Sequence, residues 1–361
     1  MRIIEAHVLN NLGKVDNLVE ALAGVGLRLV DRKVRWGVLS TAKIGRRAVI
    51  PAIQHSANGE VVAIASRNAD RARDFAREMG IPQTYGSYDG LVAADDIDAV
   101  YIPLPNSMHM EWTIKAAENG KHVLCEKPFA MNADECAKMQ AAAAQNRVKL
   151  MEAFMYRFHP RTQRMLELLR GRAVGEIRFI HSEFTIQITD TANIRLQKAL
   201  GGGALMDVGC YCVNVCRTIA AEEPVEVQAY ANWSSTGVDE QMSATLRFPS
   251  GILAQFDCAL TLSRRQSYQA VGSAGVLDVP AAFVPGTDQA TIRQLKEEKE
   301  SLLQFAGVDQ YRLMVEHFAQ CVLTDQEPRY PASDGTANMR VIDALYRSAH
   351  DDGQPQRVPS G

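Results

Sequence analysis

His122-Val123-Leu124-Cys125-Glu126-Lys127-Pro128 decides how the chain is read. Its apolar run stands between helix-like segments, and a short apolar run in that setting predicts a buried parallel strand ending at Cys125. Proline cannot donate to a sheet and pushes the residue before it into extended backbone, so Lys127 falls just past the strand's carboxyl end. Ligands of open α/β sheets bind in the crevice there, where a lysine can donate to an oxygen that gains negative charge during a reaction. A solvated Glu-Lys pair in a turn would present the same residues.

Working outward, residues 34–39 predict a first strand, followed by the small-residue turn Ser40-Thr41-Ala42-Lys43-Ile44-Gly45 and a helix to about His55. Positions 40, 42 and 45 have the Gly-x-Gly-x-x-Gly spacing of a phosphate loop, although only Gly45 is glycine. Serine and alanine allow the same approach of backbone N–H groups to a pyrophosphate where φ is negative. A second strand, 60–65, ends in Ser66-Arg67, where an NAD-binding fold would place a carboxylate for the ribose. A hydroxyl, a guanidinium and Arg71 one turn further on suit a 2′-phosphate, which favours NADP over NAD. The competing reading has Ser66 capping a helix and Arg67 in solvent.

The alternation continues through a helix at 69–79, a strand at 83–85, a helix at 87–94 and a strand near 98–102. Asn106 and Ser107 are good caps for the next helix. His109, in its first turn, either faces a cofactor or is structural. A helix at 133–145 and a strand at 149–154 complete six strands alternating with five helices, a doubly wound parallel sheet.

Beyond Arg157-Phe158-His159-Pro160 the rhythm changes. After a helix at 161–170, period-two strands are expected at 176–189, 225–235, 242–248, 252–262, 267–271, 276–279 and 291–295, many joined by short turns. Helices at 204–220, 309–323 and 334–350 make this an α+β domain with a mainly antiparallel sheet. Gly201-Gly202-Gly203 leads into the 204–220 helix, which puts Asp207 and Tyr211 four residues apart on one face. A phenol near the Lys127 ammonium is expected to have a lowered pKa and to move protons, while Asp207 orients it or holds a substrate hydroxyl. A helix-dipole role for Asp207 and a core role for Tyr211 account for the same residues. Cys210, Cys212 and Cys216 point in different directions on a helix and predict no metal site.

The 361 residues are 47% hydrophobic and 22% charged, enough for two domains with real cores. A net charge of −3 with scattered signs predicts no nucleic-acid partner. Seven irregularly spaced cysteines suit reduced thiols and a cytoplasmic location. No membrane helix is expected. Residues 1–33 are expected to form a short helix or arm, packed on its own domain or reaching a partner subunit.

Taken together and in order, Gly37 to Gly45, Ser66-Arg67, Cys125 to Pro128, Glu152 to Pro160 and Gly202 to Tyr211 resemble the Gfo/Idh/MocA family, which includes glucose-fructose oxidoreductase and inositol dehydrogenase. Tyr211, with Ser40 and Ala42, is similar to the branch holding dimeric dihydrodiol dehydrogenase and NADP-dependent xylose dehydrogenases. The likeness begins at about Val34 and leaves 1–33 as an extension that it does not cover; it implies a Rossmann domain at 34–157 and a substrate-binding and oligomerisation domain at 158–361. It implies hydride transfer between NADP, less often NAD, and a polyol, an aldose or a trans-dihydrodiol. Lys127, Tyr211 and Asp207 are the implied catalytic residues. Ser40, Thr41, Ala42, Ile44 and Gly45 are implied at the phosphates, and Ser66, Arg67 and Arg71 at the ribose. Leu104, Asn106, His109, Glu126, Lys127 and Arg157 are implied along the carboxyl edge. A homodimer or tetramer through the second sheet is expected. Relatives that cleave glycosides with bound NAD and no net redox change, or that act as non-catalytic regulators, define the alternatives.

Overall fold

The structure, a computed structural model, describes residues 32–359. The reading of residues 1–33 falls almost wholly outside them. Val34–Gly361 forms one compact unit.

The first sheet contains β1 (Val34–Leu39), β2 (Gly59–Ala65), β3 (Gln83–Tyr85), β4 (Ala99–Ile102), β5 (His122–Cys125) and β6 (Leu150–Glu152), in the order β3-β2-β1-β4-β5-β6. Every pairing is parallel. All four residues of β4 are buried, as a strand covered by helices on both faces requires. The covering helices are α1 (Ile50–Gln54), α2 (Ala69–Met79), α3 (Tyr88–Val92), α4 (His109–Glu118) and α5 (Ala133–Gln145). Asn68 caps α2 by accepting from Arg71 N, and Gly80 ends it at φ +66°. Asn132 caps α5 in the same way. The strand order reverses between β1 and β4, which opens a crevice at their carboxyl ends.

After α6 (Pro160–Arg170) the second sheet begins with β7 (Ile177–Gln187). Then come α7 (Cys210–Ala220), β8 (Glu226–Trp233), β9 (Asp239–Arg247), β10 (Leu253–Ala259), β11 (Thr261–Gly272), β12 (Gly275–Pro280), β13 (Ala290–Lys296) and β14 (Lys299–Phe305). The chain closes with α8 (Gln310–Thr324), α9 (Ala332–His350) and the short β15 (Gln356–Arg357). The nine strands run β14-β13-β12-β11-β7-β10-β9-β8-β15, antiparallel except for β7 beside β10. The expected strands at 252–262 and 267–271 differ from this: the chain breaks at buried Leu260, and β11 takes everything from 261 to 272. β14 was not expected, because its polar residues follow a hairpin turn made by Glu297 and Glu298 at φ +50° and +62°, where glycine or asparagine is the usual signal.

α7 packs on β7 and β10, while α9 lies against both β8 and α5, joining the second sheet to the first. The stretch Lys198–Ala220 is long and apolar enough to cross a membrane, contrary to expectation, but 83% of its most apolar window is buried inside the protein. Its hydropathy is that of a core helix.

Candidate active site

At the end of β1, Ser40 N donates to Ala65 O at 3.0 Å. Its φ is +110°, which corrects the expectation of negative φ: the turn keeps glycine's backbone with a serine in place. Thr41, Ala42 and Ile44 follow, partly exposed, and Gly45 opens a wide helical turn, Gly45–Val49, that leads into α1. A Cβ on Gly45 would meet only ordinary contacts, the nearest 3.6 Å away at Ile50.

At the end of β2, Ser66 is buried and its hydroxyl accepts from Asn68 N at 3.2 Å. Asn68, not Ser66, caps α2. The Arg67 guanidinium lies beside the Tyr88 hydroxyl. Arg67 and Arg71 are exposed, and neither forms an ion pair among the described residues. A hydroxyl and two guanidiniums without carboxylate partners among the described residues fit a phosphate dianion better than a ribose hydroxyl pair.

Beyond β5 the chain turns through a cis Lys127-Pro128 bond. Glu126 accepts from the Tyr101 hydroxyl at 2.6 Å, and burial pushes its carboxyl above the usual range. The Lys127 ammonium donates to the main-chain oxygen of Asp207 at 2.7 Å and to its Oδ1 at 3.1 Å. Arg195 Nε donates to Asp207 Oδ2 at 2.6 Å. Burial opposes both charges of the Lys127–Asp207 pair, but the partners prevail: the carboxyl is held below its ordinary value and the ammonium above its own.

Asp207 lies in another wide turn, Leu205–Gly209, ahead of α7, and Tyr211 follows in the first turn of that helix. The Tyr211 ring packs edge-on against Phe154 and Phe184, with centroids 5.0 and 5.4 Å away. Its hydroxyl meets Met155 Sδ at 3.5 Å. Burial pushes this phenol well above its ordinary pKa, the reverse of the expected depression. Lys127 stands over the ring face, its charge already answered by Asp207, so desolvation dominates. Asp207 itself neither orients the phenol nor stands free for a hydroxyl; it bridges Lys127 and Arg195.

A cavity of about 570 Å³ runs along this edge. Ala42, Ile44, Leu104, Asn106, Glu126 and Lys127 line it from the first sheet's side, and Asp207 and Tyr211 from α7 and its lead-in. Three expected assignments change. Asn106 is not a cap: it sits in a single turn, Asn106–Met108, and its Nδ2 donates to Gly201 O at 2.8 Å, tying the glycine loop to the cavity wall. His109 has no accessible surface, and its ring nitrogens face the carbonyls of Pro128 at 2.9 Å and Leu104 at 3.0 Å, so no polar atom remains for a cofactor. Arg157 turns away to pair with Asp334 and lies over the Tyr330 ring. Arg195 and Tyr311 also line the cavity and were not anticipated. Arg195 belongs to an irregular stretch twelve residues before its partner, where spacing carries no signal.

The model of the oxidoreductase family with an NAD-binding Rossmann fold matches residues 34–154, and that of the GFO/IDH/MocA C-terminal domain matches residues 162–278. The chain is 41% identical over 319 residues to D-xylose 1-dehydrogenase (NADP(+)) 2 of Haloferax volcanii, covering 87% of this chain and 97% of that protein. It is 34% identical over 301 residues to trans-1,2-dihydrobenzene-1,2-diol dehydrogenase of Xenopus tropicalis, covering 80% and 89%. Among solved structures it is similar to KijD10, a 3-ketoreductase from Actinomadura kijaniata in complex with NADP and TDP-benzene, with a TM-score of 0.84 and 31% identity over 88% of this chain and 98% of that one.

Proposed function

This chain belongs to the GFO/IDH/MocA oxidoreductase family, and on that premise we propose an NADP-dependent dehydrogenase or reductase acting on the CH–OH group of an aldose such as xylose or glucose, or of a trans-dihydrodiol. Its polar residues fit the dinucleotide: a small-residue turn at the cavity's edge, and Ser66, Arg67 and Arg71 with no carboxylate at the end of β2. When bound, the nicotinamide supplies or takes up the hydride.

The observation that carries this reading is the Lys127 ammonium. Two of its three donors are committed to Asp207, and one remains, in a cavity it shares with Tyr211. That donor stabilises the substrate oxygen as it gains negative charge. The Tyr211 phenol, protonated at neutral pH, gives its proton to that oxygen in reduction and regains one from solvent; in oxidation it first loses its proton to solvent and then, as phenolate, accepts the proton of the alcohol. The aromatic wall of Phe154 and Phe184 excludes water from the phenol.

The reading includes a homodimer or tetramer formed through the outer face of the second sheet, supported by exposed Tyr230 and Leu253. It includes a cytoplasmic location, supported by seven free, buried cysteines. Absorbance at the reduced-nicotinamide band with NADP or NAD and a panel of aldoses, inositols and a trans-dihydrodiol tests it. Steady turnover with NADP, lowered at least about a hundredfold by Lys127→Ala and by Tyr211→Phe, is the expected result. Silence across the panel would overturn it.

A further inference from the structure

We infer that Arg195 is a positioning residue of this site, acting through Asp207 to keep the Lys127 ammonium available to substrate. The inference rests on the roles proposed above for Lys127 and Tyr211.

The Asp207 carboxylate stands between two cations and gives one oxygen to each. Oδ1 accepts from Lys127 at 3.1 Å, and Oδ2 accepts from Arg195 Nε at 2.6 Å. A carboxylate free to rotate would present both oxygens to a neighbouring ammonium, which already has its main-chain oxygen at 2.7 Å. All three lysine donors would then be spent on Asp207. With Oδ2 held by Arg195, the carboxylate cannot turn, and one donor stays uncommitted.

The loop between β7 and α7 is built to deliver this guanidinium. Arg195 N donates to Asn193 Oδ1 at 3.1 Å, and Arg195 O accepts from Gly203 N at 2.9 Å. At Gly202 a Cβ would lie 2.4 Å from Arg195 O, so the approach of these two segments requires glycine. On the far side, the Thr236 hydroxyl donates to Leu196 O at 2.7 Å. The Arg195 side chain is 42% exposed, whereas Lys127 and Asp207 are 13% and 14% exposed. A half-exposed ion pair adds little to the stability of a fold, but its effect on a buried partner's orientation is large.

Charge acts in the same direction. Lys127 faces Asp207, Cys210 and Tyr211 from α7 and its lead-in, Glu126 from its own loop, and His109 from α4. Tyr311 of α8 shares the cavity. Against the pull of Asp207, Arg195 is the cation that weakens the hold of Lys127 on its proton.

The test uses the full chain with Arg195→Gln and Arg195→Lys. In Arg195→Gln, kcat should fall roughly ten- to a hundredfold, less than loss of the lysine itself, with KM for NADP unchanged and the alkaline limb of the pH profile moved upward. Arg195→Lys should recover most of kcat and return the limb. A second measurement does not depend on turnover: trace labelling of Lys127 with acetic anhydride across pH, read by peptide mass spectrometry. Arg195→Gln should lower labelling by several-fold at fixed pH, roughly tenfold for each unit by which the lysine's pKa rises. Labelling and kcat that are both unmoved by Arg195→Gln would overturn the inference while leaving the oxidoreductase reading intact. A wild type silent on every substrate, with labelling that still responds to Arg195→Gln, would overturn that reading and leave the positioning role standing.

Discussion

The Lys127 ammonium lies 5.1 Å from the centre of the Tyr211 ring, over its face, while the Tyr211 hydroxyl points elsewhere, to Met155 Sδ. A cation over a ring face is attracted by the quadrupole and does little to stabilise a phenolate. Burial therefore sets the proton affinity of Tyr211, which is raised, and the phenol remains a donor throughout the neutral range. In the reductive direction the rate should show no loss from tyrosine ionisation below about pH 10, its ordinary pKa. A pH profile of ketone or aldehyde reduction that falls with a neutral pKa, and loses that limb in the residual activity of Tyr211→Phe, would contradict the raised phenol.

Lys127→Ala and Tyr211→Phe remove different things. Loss of the charged donor should lower kcat by roughly 10²–10³, and loss of the proton carrier by roughly 10²–10⁴. Titration of NADPH fluorescence should give nearly unchanged cofactor affinity for Tyr211→Phe, because the phenol is buried among Phe154, Phe184 and Met155.

Arg67 and Arg71 stand at the end of β2 without ion-pair partners among the described residues. A hydrogen bond to a charged group contributes about 1.5–3 kcal/mol. The double change Arg67→Ala, Arg71→Ala should therefore raise KM for NADP by roughly tenfold or more and leave KM for NAD almost unmoved. Equal losses with the two cofactors would place the 2′-phosphate elsewhere.

Ser40 holds φ +110°. Such backbone costs a residue with a Cβ about 1–3 kcal/mol, against about 0.5–1 kcal/mol of extra chain entropy for glycine. Ser40→Gly should stabilise the protein by up to about 2.5 kcal/mol in urea unfolding. A destabilised variant would show that the serine makes a compensating contact.

Glu152 is buried at the end of β6, and neither carboxyl oxygen has a side-chain hydrogen-bond donor among the described residues. Burial, reinforced by Asp334 and opposed by Arg157 and Arg217, pushes its pKa up to about 8. The folded state holds this proton where the unfolded chain has lost it, so stability falls as pH rises from about 4.3, the unfolded value, to about 8, and then levels. Glu152→Gln should be more stable than wild type near pH 8, by up to about 5 kcal/mol, with the difference vanishing towards pH 4. A difference that does not depend on pH would mean that Glu152 is ionised in the fold.

Much of the molecule was legible in its residues alone. The strands from Val34 to Glu152 could be read because parallel strands buried on both faces are nearly continuous apolar runs. Lys127 could be placed because a proline after a strand marks its carboxyl end. Local spacing similarly set Asp207 and Tyr211 together on one cavity. What spacing could not reach was decided by distant parts of the chain. The polar strand β14 exists because it pairs with β13, and its turn forces left-handed backbone on two glutamates. His109 became structural because two carbonyls from separate loops close on its ring. The raised phenol of Tyr211 and the engagement of Asp207 by Arg195 follow from desolvation and from a loop folded over the site. Residue types and their periods determine which elements form and which chemistry they carry, because those preferences act over a few residues. Burial, and which charge meets which, depend on contacts across hundreds of residues, and only the tertiary structure sets them.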